Sequence, residues 1–288
     1  MNTLREYISE AEAKKVAIGH FNISNLEMLR AIFNAARVMN LPVIIGTSEG
    51  ERDFIGQKQA VALVKSLREE YNYPIFINAD HTYSIPKAKE AVEAGYDMII
   101  FDGAETSFAE NIKATKDFVS YAKKARPEII IEGELGFIGK NSKILSAVPE
   151  NVKLDSESLT KSEDAKQFVS ETGVDALAPA VGNIHGMLST GHDPKLDIKR
   201  IKEIRDSCGV PLVLHGGSGN SNDDFREAIK AGISVIHINT EIRVQYRKGL
   251  ELSLQSDPEE MTPYKYLRGP LKAVEKLVEE KLRIFNGM

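Results

Sequence analysis

The chain has little of what would take it out of an ordinary aqueous compartment. Among 288 residues there is one cysteine, Cys208. It can form no internal disulfide, which suits the cytoplasm. Its place at a predicted helix end reads as inert packing. No apolar run is longer than a strand, so no transmembrane helix is available. The opening Met1-Asn2-Thr3-Leu4-Arg5-Glu6 turns polar and acidic too soon for a signal peptide. Basic charge is not in excess: 37 Lys and Arg against 42 Asp and Glu leave a net charge of −5. General affinity for nucleic acid needs a basic face, so neither nucleic acid nor membrane is expected as a partner. A local cationic pocket for phosphate stays open. No Pro/Ser-rich linker divides the chain, and residues 1–288 read as one domain. With 42% hydrophobic and 27% charged residues, that domain can bury a sizeable core and remain soluble.

What is present is a rhythm of apolar strand, polar loop, amphipathic helix, glycine, next strand. Strands are predicted near residues 16–21, 42–46, 74–79, 97–102, 129–134, 174–179, 210–214 and 233–238. After the first, Ser24 and Glu27 have capping-box spacing, and Leu26, Leu29, Ile32, Phe33 and Ala36 keep helical spacing. Ser84 with Pro86 opens another helix. Gly95, Gly173, Gly209 and Gly232 each end a helix directly before a strand. Alternation of eight strands with helices means a parallel sheet, open or closed. An open sheet would gather ligand groups from a few strands at one switch point. Here polar residues mark the ends of at least six strands, which favours closure. The expectation is an α/β fold, a (β/α)8 TIM barrel, with an additional C-terminal helix over 271–284. The long polar connection 136–160 is expected to cover the mouth.

Five of the six histidines, His20, His81, His185, His215 and His237, end or follow the apolar runs. In a parallel barrel all C-terminal strand ends face one mouth. Three imidazoles that leave a coordination position open make a catalytic zinc arrangement. Asp80 immediately precedes His81 and can orient an imidazole, bind metal or serve as acid/base. Taken alone, that pair is more often a turn aspartate and a surface histidine; the other strand ends shift the balance. Glu132 and Glu134 sit in so apolar a run that each should be paired or metal-bound. Glycines around His185, in Gly182-Asn183-Ile184-His185-Gly186, let backbone approach a ligand. After the seventh run, His215-Gly216-Gly217-Ser218-Gly219 offers backbone N–H groups and a hydroxyl to an anion, and Asn239-Thr240-Glu241 should open a helix after the eighth. Those two loops are the usual phosphate site of such barrels. Metal, carboxylate and phosphate grip together describe carbon–carbon cleavage or enolisation of a phosphorylated ketose; metal-assisted hydrolysis uses similar parts.

These residues resemble the class II, metal-dependent ketose-bisphosphate aldolases. The anchors are Pro42-Val43-Ile44-Ile45-Gly46-Thr47-Ser48-Glu49-Gly50, Ala79-Asp80-His81, Phe101-Asp102-Gly103-Ala104, Glu132-Gly133-Glu134-Leu135-Gly136, Gly182-Asn183-Ile184-His185-Gly186, His215-Gly216-Gly217-Ser218-Gly219 and Asn239-Thr240-Glu241. The resemblance implies cleavage of a fructose or tagatose 1,6-bisphosphate to dihydroxyacetone phosphate and an aldehyde such as glyceraldehyde 3-phosphate. It implies Zn2+ on His81, His185 and His215, with Glu134 as an alternative ligand, and Asp80 as acid/base at the C4 hydroxyl. It further implies substrate or phosphate contacts from Asn22, Ser48, Gly182, Gly216, Gly217, Ser218, His237, Asn239 and Thr240. A monovalent cation (Na+ or K+) beside the phosphate and a homodimer or homotetramer also follow from it.

Three departures stand out. Where many members carry a glutamate-bearing loop, this chain reads Lys140-Asn141-Ser142-Lys143. Met187-Leu188-Ser189-Thr190-Gly191 follows Gly186 in place of Tyr-Lys-Gly. His237 replaces a common asparagine. They fit an altered substrate or a slow enzyme. The alternative is a non-catalytic sugar-phosphate-binding barrel that kept the zinc site.

Overall fold

Runs such as Val43-Ile44-Ile45 and Ile75-Phe76-Ile77 join β-branched and aromatic residues with burial on both faces, as strands of a covered parallel sheet must. The computed structural model describes residues 2–140, 142–191 and 193–288. Asn141, in the departing loop, and His192, the sixth histidine, lie outside them.

The strands are β1 (Ile18–Asn22), β2 (Val43–Thr47), β3 (Ile75–Thr82), β4 (Met98–Phe101), β5 (Ile130–Leu135), β6 (Ile144–Leu145), β7 (Ala176–Pro179), β8 (Met187–Leu188), β9 (Leu212–Leu214) and β10 (Ile233–Ile238). Eight of them close into a parallel barrel in the order β1-β10-β9-β7-β5-β4-β3-β2. All eight predicted strands are present, each within a few residues of its expected span. Between and after them run α1 (Leu4–Lys14), α2 (Leu26–Met39), α3 (Glu49–Ile55), α4 (Gln57–Tyr71), α5 (Ile85–Ala94) and α6 (Phe108–Ala125). The second half adds α7 (Ser162–Thr172), α8 (Ile198–Cys208), α9 (Asn222–Ala231), α10 (Thr240–Ser256), α11 (Pro263–Tyr266) and α12 (Arg268–Phe285). The terminal helix is thus α12, somewhat longer than expected, preceded by the short α11.

The core has two layers. One lies between the strands and the surrounding helices, from Phe21 and Ile45 outward to Leu29, Phe118 and Phe225. The other fills the lower barrel, where Ile18, Ile44, Phe76, Met98, Ile130, Val213 and Val235 meet Leu4, Ile8 and Ala11 of α1. Helix α1 therefore stoppers the end of the barrel opposite the strand C-termini. Nothing in the strand–helix rhythm announces it, because it precedes the first strand.

Two local expectations are corrected. The first turn of α2 is capped by Asn25, whose side chain accepts from the N–H of Met28 at 3.0 Å. Ser24 instead reaches towards Glu51 (3.5 Å), so its spacing to Glu27 makes no capping box. The connection 136–160 is more than a polar loop. Its β6 pairs in parallel with β8, and Leu145 and Val152 pack with Ile184 into a small apolar cluster of their own. At α5 the cap is as expected: Ser84 accepts from Lys87 N–H, with proline in the first turn. Cys208 ends α8 and packs against the core, with its thiol pushed up by burial and 3.8 Å from the carbonyl of Val210.

Candidate active site at the barrel mouth

Residues two apart on a strand share a face, and the inward positions change character along the barrel. They run Ile18, His20, Asn22 on β1; Phe76, Asn78, Asp80 on β3; Ile130, Glu132, Glu134 on β5; and Val235, His237, Asn239 from β10. The lower member of each set joins the apolar plug, and the upper members form a buried polar layer beneath the mouth. Gly46 makes room for it: a Cβ there would lie 2.2 Å from the His20 ring.

His81 breaks the alternation, since its neighbour Asp80 also faces the site. The β3–β4 register shifts between Ala79 and Thr82, and His81 has φ of 42°. A left-handed backbone at a non-glycine residue costs about 1–2 kcal/mol. Arg52, only 2% exposed, braces this bulge. Its guanidinium donates to the carbonyls of Thr47 (2.6 Å) and Asp80 (3.0 Å) and to Thr82 Oγ1 (3.1 Å).

His81, His185 and His215 offer ligand atoms all within 4.8 Å of one another. Each ring is held from behind through its other nitrogen. His81 Nδ1 donates to Asp102 Oδ2 at 2.9 Å, His185 Nδ1 to the Gly139 carbonyl at 2.5 Å, and His215 Nε2 to Glu132 Oε1 at 2.7 Å. This fixes the tautomers and leaves His81 Nε2, His185 Nε2 and His215 Nδ1 as the lone-pair nitrogens. Glu134 Oε2 lies 3.3 Å from His215 Nδ1 and 3.2 Å from His81 Nδ1. Both Glu134 Oε2 and His215 Nδ1 are buried without a hydrogen bond. Buried lone pairs of this kind, three imidazoles with one carboxylate beside them, suit a zinc-like divalent ion.

Burial pushes His185 down to about 4, aided by the charge of His81. His215 goes the other way: Glu132 outweighs burial and raises it to about 9. Burial would also lift Glu134, but His81 and His215 hold its carboxylate low. Asp80 is likewise depressed, because His81 and His237 overcome its burial.

Asp80 is 3% exposed. Its Oδ2 accepts from Asn22 Nδ2 at 2.8 Å, and the same amide nitrogen donates to Glu51 Oε2 at 2.9 Å. Glu51 in turn accepts from Arg243 at 2.6 Å, and Arg243 also donates to the carbonyl of Ser142 at 3.1 Å. Asp80 Oδ1 makes no hydrogen bond and lies 3.4 Å from His237 Nδ1. The His237 ring stacks between those of His20 and His215, with centroids 3.5 and 4.2 Å away.

A cleft opens onto this group, lined by Asn22, Asp80, His81, His185, Gly216, Ser218, His237, Asn239 and Thr240. Ser142 is the residue of 136–160 that reaches it. On the far wall α10 begins at Thr240 with no side-chain cap from Asn239. The N–H groups of Ser218 and Thr240 have no protein acceptor among the described residues, as an anion site requires. Four expected contacts lie outside the lining. Gly217 spends its N–H on the His237 carbonyl (3.1 Å), and Gly182 turns against the Lys195 carbonyl, 2.6 Å from where a Cβ would stand. Ser48 starts α3 and donates its N–H to Glu51 (2.8 Å), and Glu134 stands beside His215 Nδ1 and His81 Nδ1. Asp102, Glu51, Arg243 and Asn78 carry no role expected from sequence, His20 is expected only to face the mouth, and Glu132 only to be a carboxylate needing a partner. Period-two spacing from Asp80, Glu134 and His237 would have found Asn78 and Glu132.

Comparison with known proteins agrees over the whole chain. Residues 2–288 match the family model described as fructose-bisphosphate aldolase class-II. The chain belongs to this family. It is 36% identical over 288 residues to a fructose-bisphosphate aldolase of Geobacillus stearothermophilus, covering 99% of this chain and 96% of that one. The fructose-bisphosphate aldolase of Staphylococcus aureus (strain Mu50) is 35% identical over 287 residues, with the same coverage. Among solved structures, the YdjI aldolase of Escherichia coli K12 superposes with a TM-score of 0.81 at 29% identity, over 99% of this chain and 97% of that one. The protein is a metal-dependent class II aldolase that cleaves a ketose bisphosphate, and its convergent histidines form a group that could hold a divalent ion.

Proposed function

We propose that this aldolase uses Zn2+ on His81, His185 and His215, with Glu134 as alternative ligand, to cleave fructose or tagatose 1,6-bisphosphate between C3 and C4. The observation carrying this reading is the trio of imidazoles, each anchored from behind, beside a carboxylate with one free oxygen. Zinc, when bound, supplies a Lewis acid for the charge that develops on the substrate carbonyl oxygen. The chain's own residues do the rest. Asp80 Oδ1 takes the C4 hydroxyl proton while Asn22 holds Oδ2 in place. As that O–H bond breaks, C4 becomes the aldehyde carbon, the C3–C4 bond breaks, and its electron pair stays with the dihydroxyacetone-phosphate half. Ser218, Gly216 and Thr240 hold the phosphate of that half, with N–H groups and the start of α10 facing it. His237 and Asn239 line the same wall against the reacting carbons. Gly217, Gly182 and Ser48 act at one remove, by shaping the turns that carry these groups.

The reading includes a monovalent cation (Na+ or K+) beside the phosphate, a homodimer or homotetramer, one domain over residues 1–288 and a cytoplasmic location. A single cysteine supports the last. Among the described residues no helix is long and apolar enough to cross a membrane. The test is product analysis after incubation with a panel of ketose mono- and bisphosphates, with and without prior chelation. Triose phosphate formed from a bisphosphate and abolished by chelation is expected. A metal-loaded protein that cleaves no member of the panel would return the reading to a binding barrel.

A further inference from the structure

The loop after β9 and the first turn of α10 are tied by reciprocal bonds. Glu241 N–H donates to Ser218 Oγ at 3.2 Å, and Glu241 Oε1 accepts from Gly219 N–H at 3.1 Å. That arrangement places a carboxylate one residue from Thr240, on the wall that offers its N–H groups to an anion. A second carboxylate is close by: a Cβ on Gly219 would lie 2.5 Å from Asp193, whose Oδ2 is buried and unpartnered. Left so, the wall would repel a phosphate. The compensating charge comes from the far end of the chain. Lys281 of α12 is 7% exposed, and its Nζ lies 2.8 Å from Glu241 Oε1 and 5.0 Å from the centre of the Phe225 ring. A lysine is rarely buried so far unless its charge is in use.

We propose that Lys281 is a positioning residue for the substrate phosphate. It neutralises Glu241 and holds that carboxylate on Gly219, so that Ser218 and the start of α10 present their N–H groups to an anion without a competing negative charge. The terminal helix thereby completes the phosphate grip although it does not touch the ligand. This rests on the placement of phosphate at Ser218 and Thr240 given above.

The probe is inorganic phosphate, titrated calorimetrically into the metal-loaded full-length protein, so the result does not depend on turnover. Lys281→Met should weaken phosphate binding about tenfold or more, with metal content unchanged, and Lys281→Arg should restore most of it. Adding Glu241→Gln to Lys281→Met should recover affinity, because the repelling charge is gone; a purely structural link would make the double variant worse. Glu241→Gln alone should tighten phosphate, since it leaves the lysine uncompensated, and this arm holds even if Lys281→Met fails to fold. Unchanged phosphate affinity in Lys281→Met, or a tenfold loss in Glu241→Gln, overturns the proposal. Phosphate binding that follows this pattern in a protein without aldolase turnover would instead sink the catalytic reading and leave Lys281 in its role.

Discussion

Asp80 has two oxygens in different circumstances. Oδ2 is fixed by Asn22, and behind it stand Glu51 and Arg243; Oδ1 has no hydrogen bond. A base needs both, one oxygen to aim the group and one to receive the proton. Asp80→Ala is expected to keep metal and phosphate but to lose about 10²–10⁴ in kcat, the usual contribution of a positioned acid/base. Full turnover in that variant would remove Asp80 from the mechanism. The supports of the imidazoles can be tested separately. His185→Ala and His215→Ala should lose the metal, whereas Glu132→Gln and Asp102→Asn should weaken it only about 10–100-fold, as loss of an outer hydrogen bond does. Equilibrium dialysis with zinc distinguishes the two grades. A further residue-scale expectation concerns the proton returned to the dihydroxyacetone-phosphate carbon. Among the described residues of the 136–160 segment only Ser142 lines the cleft, and it carries no carboxylate. Exchange of that proton with solvent should be slow relative to other members of the family. Rapid deuterium incorporation would point to another acid/base, and His237 would be the first to substitute.

At the scale of elements, what could be read in the sequence was what has a period. Eight strands were legible because each is an apolar run, at least six of them with polar residues at the end, and because Gly95, Gly173 and Gly209 mark helix ends through their left-handed backbones. Barrel topology brings five histidines to one mouth, and the resemblance to class II aldolases singles out His81, His185 and His215 among them. Less periodic features escaped. Whether Ser24 or Asn25 caps α2 depends on Glu51, which draws Ser24 away from 27 residues distant. Two-residue strands such as β6 and β8 have no pattern long enough to read. Nothing in the sequence pattern singles out Arg52. Its burial is visible only in three dimensions, where it satisfies two carbonyls and a hydroxyl around the His81 bulge. Arg52→Met should therefore lower unfolding free energy by about 3 kcal/mol, because buried acceptors are left without donors. It should also lower kcat, since Asp80 sits on the same bulge. Urea denaturation beside steady-state kinetics checks both, and a stable variant with normal kcat would show that the bulge holds itself.

On the scale of the whole molecule, stability and chemistry occupy opposite ends of the barrel. Leu4, Ile8 and Ala11 of α1 close the lower end with apolar contacts. Ile8→Ala should cost about 2–4 kcal/mol as a core truncation, yet leave KM and kcat unchanged at temperatures where the protein stays folded. A change in KM at such temperatures would mean that the two ends are coupled. A barrel stoppered by α1 is a vessel with one opening. Whatever enters must displace water through the aperture it came in by, and two fragments of a cleaved molecule must leave through it in sequence. The fragment nearer the rim goes first and the deeper one waits. The order of departure, readable in product-inhibition patterns, is then set by the packed lower barrel, which never meets the substrate.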